Sequence, residues 1–334
     1  MADRYIWRTV GISTLHVATT RPAFITLTFE CPVVDSTQRR DLALFVGLSV
    51  MGGGAFPAVE AALSYMPPLL IAAFRFDLAG VFLLGYAITT TRNWRPSTRG
   101  DVLAIVGGGT LFFPFGQGIW YIGQALTTSA LSGLMASLIP LLTAAWSWVL
   151  VPQDRVSKDE LVGLGIGVVG VLLTLVPGAT SLVDQGIVGK LVIFVSAIGT
   201  ALGSVLIRRA ENAISVPAVT AWSMLLGAGL MHALSPVVGE SLADVTINPT
   251  AVLALGYLTV ISTALAYIIY FVLIDRRSAV ETNLIHYLFP VVAIVAGYVL
   301  FGEALPPSAL LGFVFIAVGF GVLKRRTIAV ELFD

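Results

Sequence analysis

The chain has 334 residues, 57% of them hydrophobic and only 11% charged, with a mean hydropathy of +0.92, whereas soluble domains carry roughly a quarter of their residues as Asp, Glu, Lys and Arg. Lipid is the solvent this composition suits. A formal net charge of zero gives no electrostatic ground for a nucleic-acid partner, and the single Cys31 permits neither an internal disulfide nor a thiolate metal cluster.

In chain order, residues 1–38 come first and stand apart. They hold Arg4, Arg8 and Arg21 without an uninterrupted apolar core or a small-residue cleavage site, which argues against a signal peptide. They read as a disordered cytoplasmic extension or as sequence ahead of the true start. Ten apolar runs follow, at 42–65, 69–91, 101–123, 131–151, 161–178, 189–207, 217–238, 250–274, 280–301 and 308–323. Each is near the 20 or so residues that a bilayer crossing needs. In lipid the backbone must satisfy itself, so the runs are expected to be helices; they are too long and too evenly apolar for barrel strands. The fold class is therefore an all-α integral membrane protein of ten transmembrane helices, closed by a short tail at 327–334.

The charges between the runs give the orientation. Arg39, Arg40, Arg92, Arg95, Arg99, Arg155, Lys158, Arg208, Arg209, Arg276, Arg277, Lys324, Arg325 and Arg326 all fall on one side of a ten-helix arrangement, against Lys190 on the other. By the positive-inside rule that side is cytoplasmic, and with it both termini.

The runs also repeat. Residues 131–150 lie over 281–300, with Pro140 on Pro290, Leu134 on Leu284 and Leu150 on Leu300. With the offset reduced by one, Asp154 meets Glu303, Gly163 meets Gly312 and Gly170 meets Gly319. The same offset pairs Gly54 with Gly203, Pro68 with Pro217, Gly107 with Gly256 and Tyr121 with Tyr270. The halves are 39–180 and 185–326. Five helices is an odd number, so the second half must enter the membrane from the opposite face, giving a 5+5 inverted-topology repeat of the kind secondary transporters use.

The opening of the first half, GGGAFPAVEAALSYMPPLLIAAFRF, and the paired endings, IPLLTAAW with Asp154 and Gly163 and FPVVAIVAG with Glu303 and Gly312, resemble the two EamA domains of the drug/metabolite transporter superfamily. The match covers residues 42–325. VPQDRV departs from the usual Gly-Glu at the end of the first copy. The resemblance implies a secondary transporter of a small metabolite, working by alternating access of its two halves.

Ionisable side chains inside a membrane are expensive and are functional candidates by default. Glu60, Arg75, Asp77 and His286 are the ones within the runs singled out here. Glu60 and Arg75 stand at similar depth about the Pro67-Pro68 turn and are expected either to form an ion pair or to stand apart, Arg75 reaching the outer headgroups and Glu60 facing the external vestibule. His286, one turn before Pro290, is expected either to donate to a backbone carbonyl or to carry a proton in coupling or contact the substrate. Pro140 and Pro290 each remove a helical hydrogen bond and are expected to break their helices. Paired breaks mark a transporter's solute site. Around that level gather Phe112, Gln117, Trp120, Tyr121 and Ser137 from the first half and Thr263, Tyr267, Tyr270, Asn283, His286 and Tyr287 from the second. Aromatic walls with scattered amides and hydroxyls suit a small amphipathic, amino-acid-like solute.

There is no GxxxxGK[ST], HExxH or Cys cluster, so neither ATP, a metal nor a cofactor is expected and the chain is not read as an enzyme. A non-transporting scaffold or assembly subunit and, below it, a membrane-embedded enzyme are the alternatives. The expected partners are the bilayer, a small-molecule solute and protons, with the assembly open between monomer and homodimer.

Overall fold

The computed structural model describes residues 36–151, 158–175, 186–210, 212–276, 285 and 288–333. Every regular element among them is helical. In chain order the apolar helices are α1 (Ala43–Leu63), α2 (Pro68–Thr90), α3 (Arg99–Gln124), α4 (Ser129–Leu150), α5 (Leu161–Thr174), α6 (Ile187–Arg209), α7 (Val216–Val238), α8 (Pro249–Leu273), α9 (Leu288–Phe301) and α10 (Pro307–Val322). Seven are long and apolar enough to cross a bilayer, and α5, α9 and α10 are shorter. The helix containing α1 begins at Ser36, so residues 36–38 belong to it and not to a disordered extension. The helix containing α10 runs Pro307–Phe333 and takes in most of the assigned tail.

The helix starts follow local chemistry. Pro68 and Pro217 sit within the first two positions of α2 and α7, where a missing N–H costs nothing. Thr98 and Asp101 form a capping box at α3, and Asn248 accepts from Ala251 N at 2.8 Å at α8. Side chains pack inward around Phe76, Leu138, Met224 and Leu258. Outside, Leu253 is 74% exposed and Val299 71%. A surface this apolar all round fits hydrocarbon and not water.

Two pairings across the halves organise the bundle. Leu69 N meets Glu240, Asp77 meets His232, Gly80 meets Met224 and Leu225, and Thr91 meets Ser215, so α2 and α7 run antiparallel along their whole lengths. Helices α5 and α10 also run antiparallel: a Cβ on Gly170 would stand 2.6 Å from the Gly312 carbonyl, and one on Gly319 2.6 Å from that of Gly163. Absent side chains here let the backbones touch. Gly163 and Gly312 are repeat twins, as are Gly170 and Gly319, so each glycine touches the twin of the other. That reciprocity is the contact pattern of a two-fold axis between like surfaces.

Three carboxylates fasten helix starts across the halves. Glu240 accepts from Leu69 N at 2.9 Å and Leu70 N at 3.1 Å at the start of α2. Asp101 accepts from Ala213 N at 2.8 Å and Ile214 N at 3.0 Å just ahead of α7. Glu303 accepts from Ser129 N at 3.0 Å, Ser129 Oγ at 2.9 Å and Ala130 N at 2.7 Å at the start of α4. Unpaired N–H groups and the positive end of the helix dipole favour an anion at each place.

Candidate functional site

Helices α3 and α8 are not regular. α3 is π-helical over Gly108–Gly118 and α8 over Tyr257–Leu265, starting ten and nine residues after their N-caps Thr98 and Asn248. The wider turns leave carbonyls to be satisfied from the side. Ser196 of α6 donates to the Gly116 carbonyl, and Thr263 donates to the Leu258 carbonyl five residues before it at 2.7 Å. Pro114, which has no N–H, lies inside the α3 segment. Among the described residues these are the matched irregularities of the two halves, and periodicity of apolar residues gave no sign of them.

Both lead to Arg75. Its Nε donates to Thr263 Oγ1 at 2.7 Å, one terminal nitrogen donates to the Tyr121 hydroxyl, and the other to Ser262 Oγ at 3.4 Å. Thr263, having given its proton to Leu258, has its lone pairs free for the guanidinium. Arg75 is 9% exposed, Tyr121 3%, Ser262 6% and Thr263 fully buried. The Phe76 ring lies 5.1 Å from the guanidinium carbon, and stacks edge-on with Phe113, which does the same with Phe112. So one cation from α2 is held by hydroxyls from α3 and α8, one from each half.

The expected Glu60–Arg75 ion pair is not formed. Arg75 takes the three hydroxyls instead, while Glu60, half-buried, lies beside Gln124 with its Oε2 buried and without a hydrogen-bond partner. The reason is direction: Arg75 points to the α3–α8 seam, where three hydroxyls lie within hydrogen-bond reach and the Glu60 carboxylate does not. Gln124 itself lies in a chain that sequence reasoning missed. Trp120 Nε1 donates to Ser132 Oγ at 2.7 Å, Ser132 to Gln124 Oε1 at 3.0 Å, and Gln124 Nε2 to the Phe56 carbonyl at 2.7 Å.

Of the remaining candidates, Gln117 is half-buried one turn before Tyr121, and Tyr267 and Tyr270 form an edge-on pair with ring centres 6.4 Å apart. Ser137 is turned inward on its own helix, donating to Leu134 O at 2.7 Å. The helix of α4 is interrupted at Ala136–Ser137, one turn before Pro140, and Ile139 N takes the Ala136 carbonyl at 3.2 Å. Pro290 occupies the third position of α9, as Pro140 does in the helix Leu138–Leu150. Asn283, His286 and Tyr287 lie outside the described residues. Also unforeseen as a pair are Asp77 and His232, joined at 2.6 Å across α2 and α7. The sequence did carry one overlooked signal: Thr98-Arg99-Gly100-Asp101 is a capping-box spacing.

Long apolar helices, an apolar exterior and a polar cluster buried between two like halves define a multi-pass membrane protein of transporter type. The profile of the EamA-like transporter family matches residues 40–176 and 187–324. The chain belongs to that family. It is 30% identical over 313 residues to a probable amino-acid metabolite efflux pump of Salmonella typhimurium, covering 88% of this chain and 99% of that one. It is 28% identical over 305 residues to an S-adenosylmethionine/S-adenosylhomocysteine transporter of Chlamydia trachomatis, covering 88% and 90%. A solved crystal structure superposes with a TM-score of 0.61 at 19% identity, over 88% of this chain and 99% of the other, a likeness of fold alone.

Proposed function

We propose that this protein exports a small amphipathic, amino-acid-like metabolite across the cytoplasmic membrane. In this reading ten helices cross as a 5+5 inverted repeat, with halves at 39–180 and 185–326 and both termini in the cytoplasm, and the halves exchange conformations to give alternating access. The observation that carries it is the buried cluster on Arg75, where the Ser262 and Thr263 hydroxyls from the π-helical segment of α8 converge with the Tyr121 hydroxyl, which follows the π-helical segment of α3 by three residues. Two antiparallel twin pairs, α2 with α7 and α5 with α10, support inversion: a two-fold axis along the membrane normal would leave twins parallel. The amino-acid-like solute draws support from the named activity of the Salmonella relative.

Proteoliposomes holding the purified protein and loaded with a mixture of amino acids test it. Loss of specific amino acids from protein-bearing vesicles, and not from empty ones, is the expected result; retention of all of them contradicts the reading. Repeating the efflux with the pH gradient collapsed by an ionophore tests coupling through Glu60 or His286. Slower efflux is expected if either residue carries the proton, and an unchanged rate removes that role.

A further inference from the structure

We infer that Arg75 is the anion-recognising element of the solute site, binding the carboxylate of the transported molecule; this rests on the export reading above. A guanidinium is a permanent cation, and one withdrawn from water costs several kcal/mol unless an anion meets it. Here it is met by neutral groups. The hydroxyls of Tyr121, Ser262 and Thr263 take one N–H each, and among the described residues no carboxylate lies within ion-pairing distance of it. A guanidinium carries five N–H donors, so the hydroxyls leave two for another acceptor.

The three hydroxyls fix the fork between the halves without neutralising it. That is the arrangement of a receptor for a charge that none of the described residues supplies, since a structural cation would gain more from Glu60, which is left on the neighbouring helix with one oxygen unpartnered. Among the described residues the cluster contains a single cation, which matches the single charge of a carboxylate and not the two of a phosphate monoester. A planar guanidinium also presents paired N–H groups at the spacing of carboxylate oxygens. Phe76, Phe113 and Phe112 run on from the guanidinium as a chain of ring contacts and supply an apolar surface for the rest of the solute.

The test loads proteoliposomes with neutral amino acids together with their carboxamides, which are close in size but replace one carboxylate oxygen by NH2 and so lack the negative charge, and follows both by mass spectrometry. Wild type is expected to move each acid at least tenfold faster than its amide. Arg75→Gln is expected to reduce efflux of the acids about tenfold or more and so bring the ratio of acid to amide close to one, and Arg75→Lys to retain part of the preference. A merely structural arginine would lower both solutes together, and that outcome overturns the inference. The wild-type ratio of acid to amide requires no variant, so the test survives an Arg75→Gln protein that does not fold. Equal efflux of acid and amide by wild type overturns the carboxylate assignment and leaves the export reading standing; efflux of neither overturns both.

Discussion

The Glu303 carboxylate offers the most direct energetic test of how the two halves are joined. It lies between α9 and α10 yet takes three hydrogen bonds at the start of α4, from Ser129 N, Ser129 Oγ and Ala130 N. A hydrogen bond to a charged group is worth roughly 1.5–3 kcal/mol, an N-cap about 1 kcal/mol, and the terms overlap because they share one carboxylate. The backbone groups are part-buried, so water replaces some of what is lost. Glu303→Ala should then cost about 2–4 kcal/mol and Glu303→Gln about half as much, since the amide keeps one acceptor oxygen but loses the charge. For a chain of this size that is on the order of 5 °C for the alanine variant. Thermal unfolding of the purified protein in detergent, followed by tryptophan fluorescence, measures it. Midpoints for both variants within about 1 °C of wild type would refute the view that this carboxylate holds the halves together.

Gly170→Leu should separate α5 from α10, because a Cβ there already meets Gly312 O at 2.6 Å and Ile316 N at 2.8 Å; a loss of about 1–3 kcal/mol is expected, against no change for Gly165→Leu, where nothing lies within 4 Å. Ser132→Ala leaves the Trp120 indole N–H and the Gln124 carbonyl oxygen without partners and should cost about 1–3 kcal/mol, read as a lower unfolding midpoint and reduced efflux. A double-mutant cycle on Asp77→Asn and His232→Gln should return a coupling of about 0.5–1.5 kcal/mol for a pair that is one-third exposed on each side; additive effects would mean the 2.6 Å contact contributes nothing.

The sequence determined the class of this protein because lipid imposes rules that composition and spacing record. A mean hydropathy of +0.92 and apolar runs near 20 residues leave the backbone little choice but helices. Pro68 and Pro217 were legible as a matched pair, and both stand at helix starts, where proline's missing N–H costs nothing. The repeat was legible because prolines and glycines survive at matched places where helices bend or touch, and Gly163, Gly170, Gly312 and Gly319 are the residues at which α5 and α10 meet. Tyr121 and Thr263 were legible as polar groups in an oily setting.

What only the tertiary structure decided was who meets whom. Arg75 lies 46 residues from Tyr121 and 188 from Thr263, and no local pattern encodes a choice between Glu60 and three hydroxyls. The π-helical turns of α3 and α8 make that choice by rotating side chains about their helix axes, an angular effect that periodicity does not resolve. The same holds for Glu303, Glu240 and Asp101: as isolated acids they look like solvated loop charges, and only the packing of one half on the other shows each closing a helix start across the seam. Hydropathy is a property of segments, and so the chain alone fixes its solvent and its repeat; recognition is a property of directions, which exist only once the halves are packed.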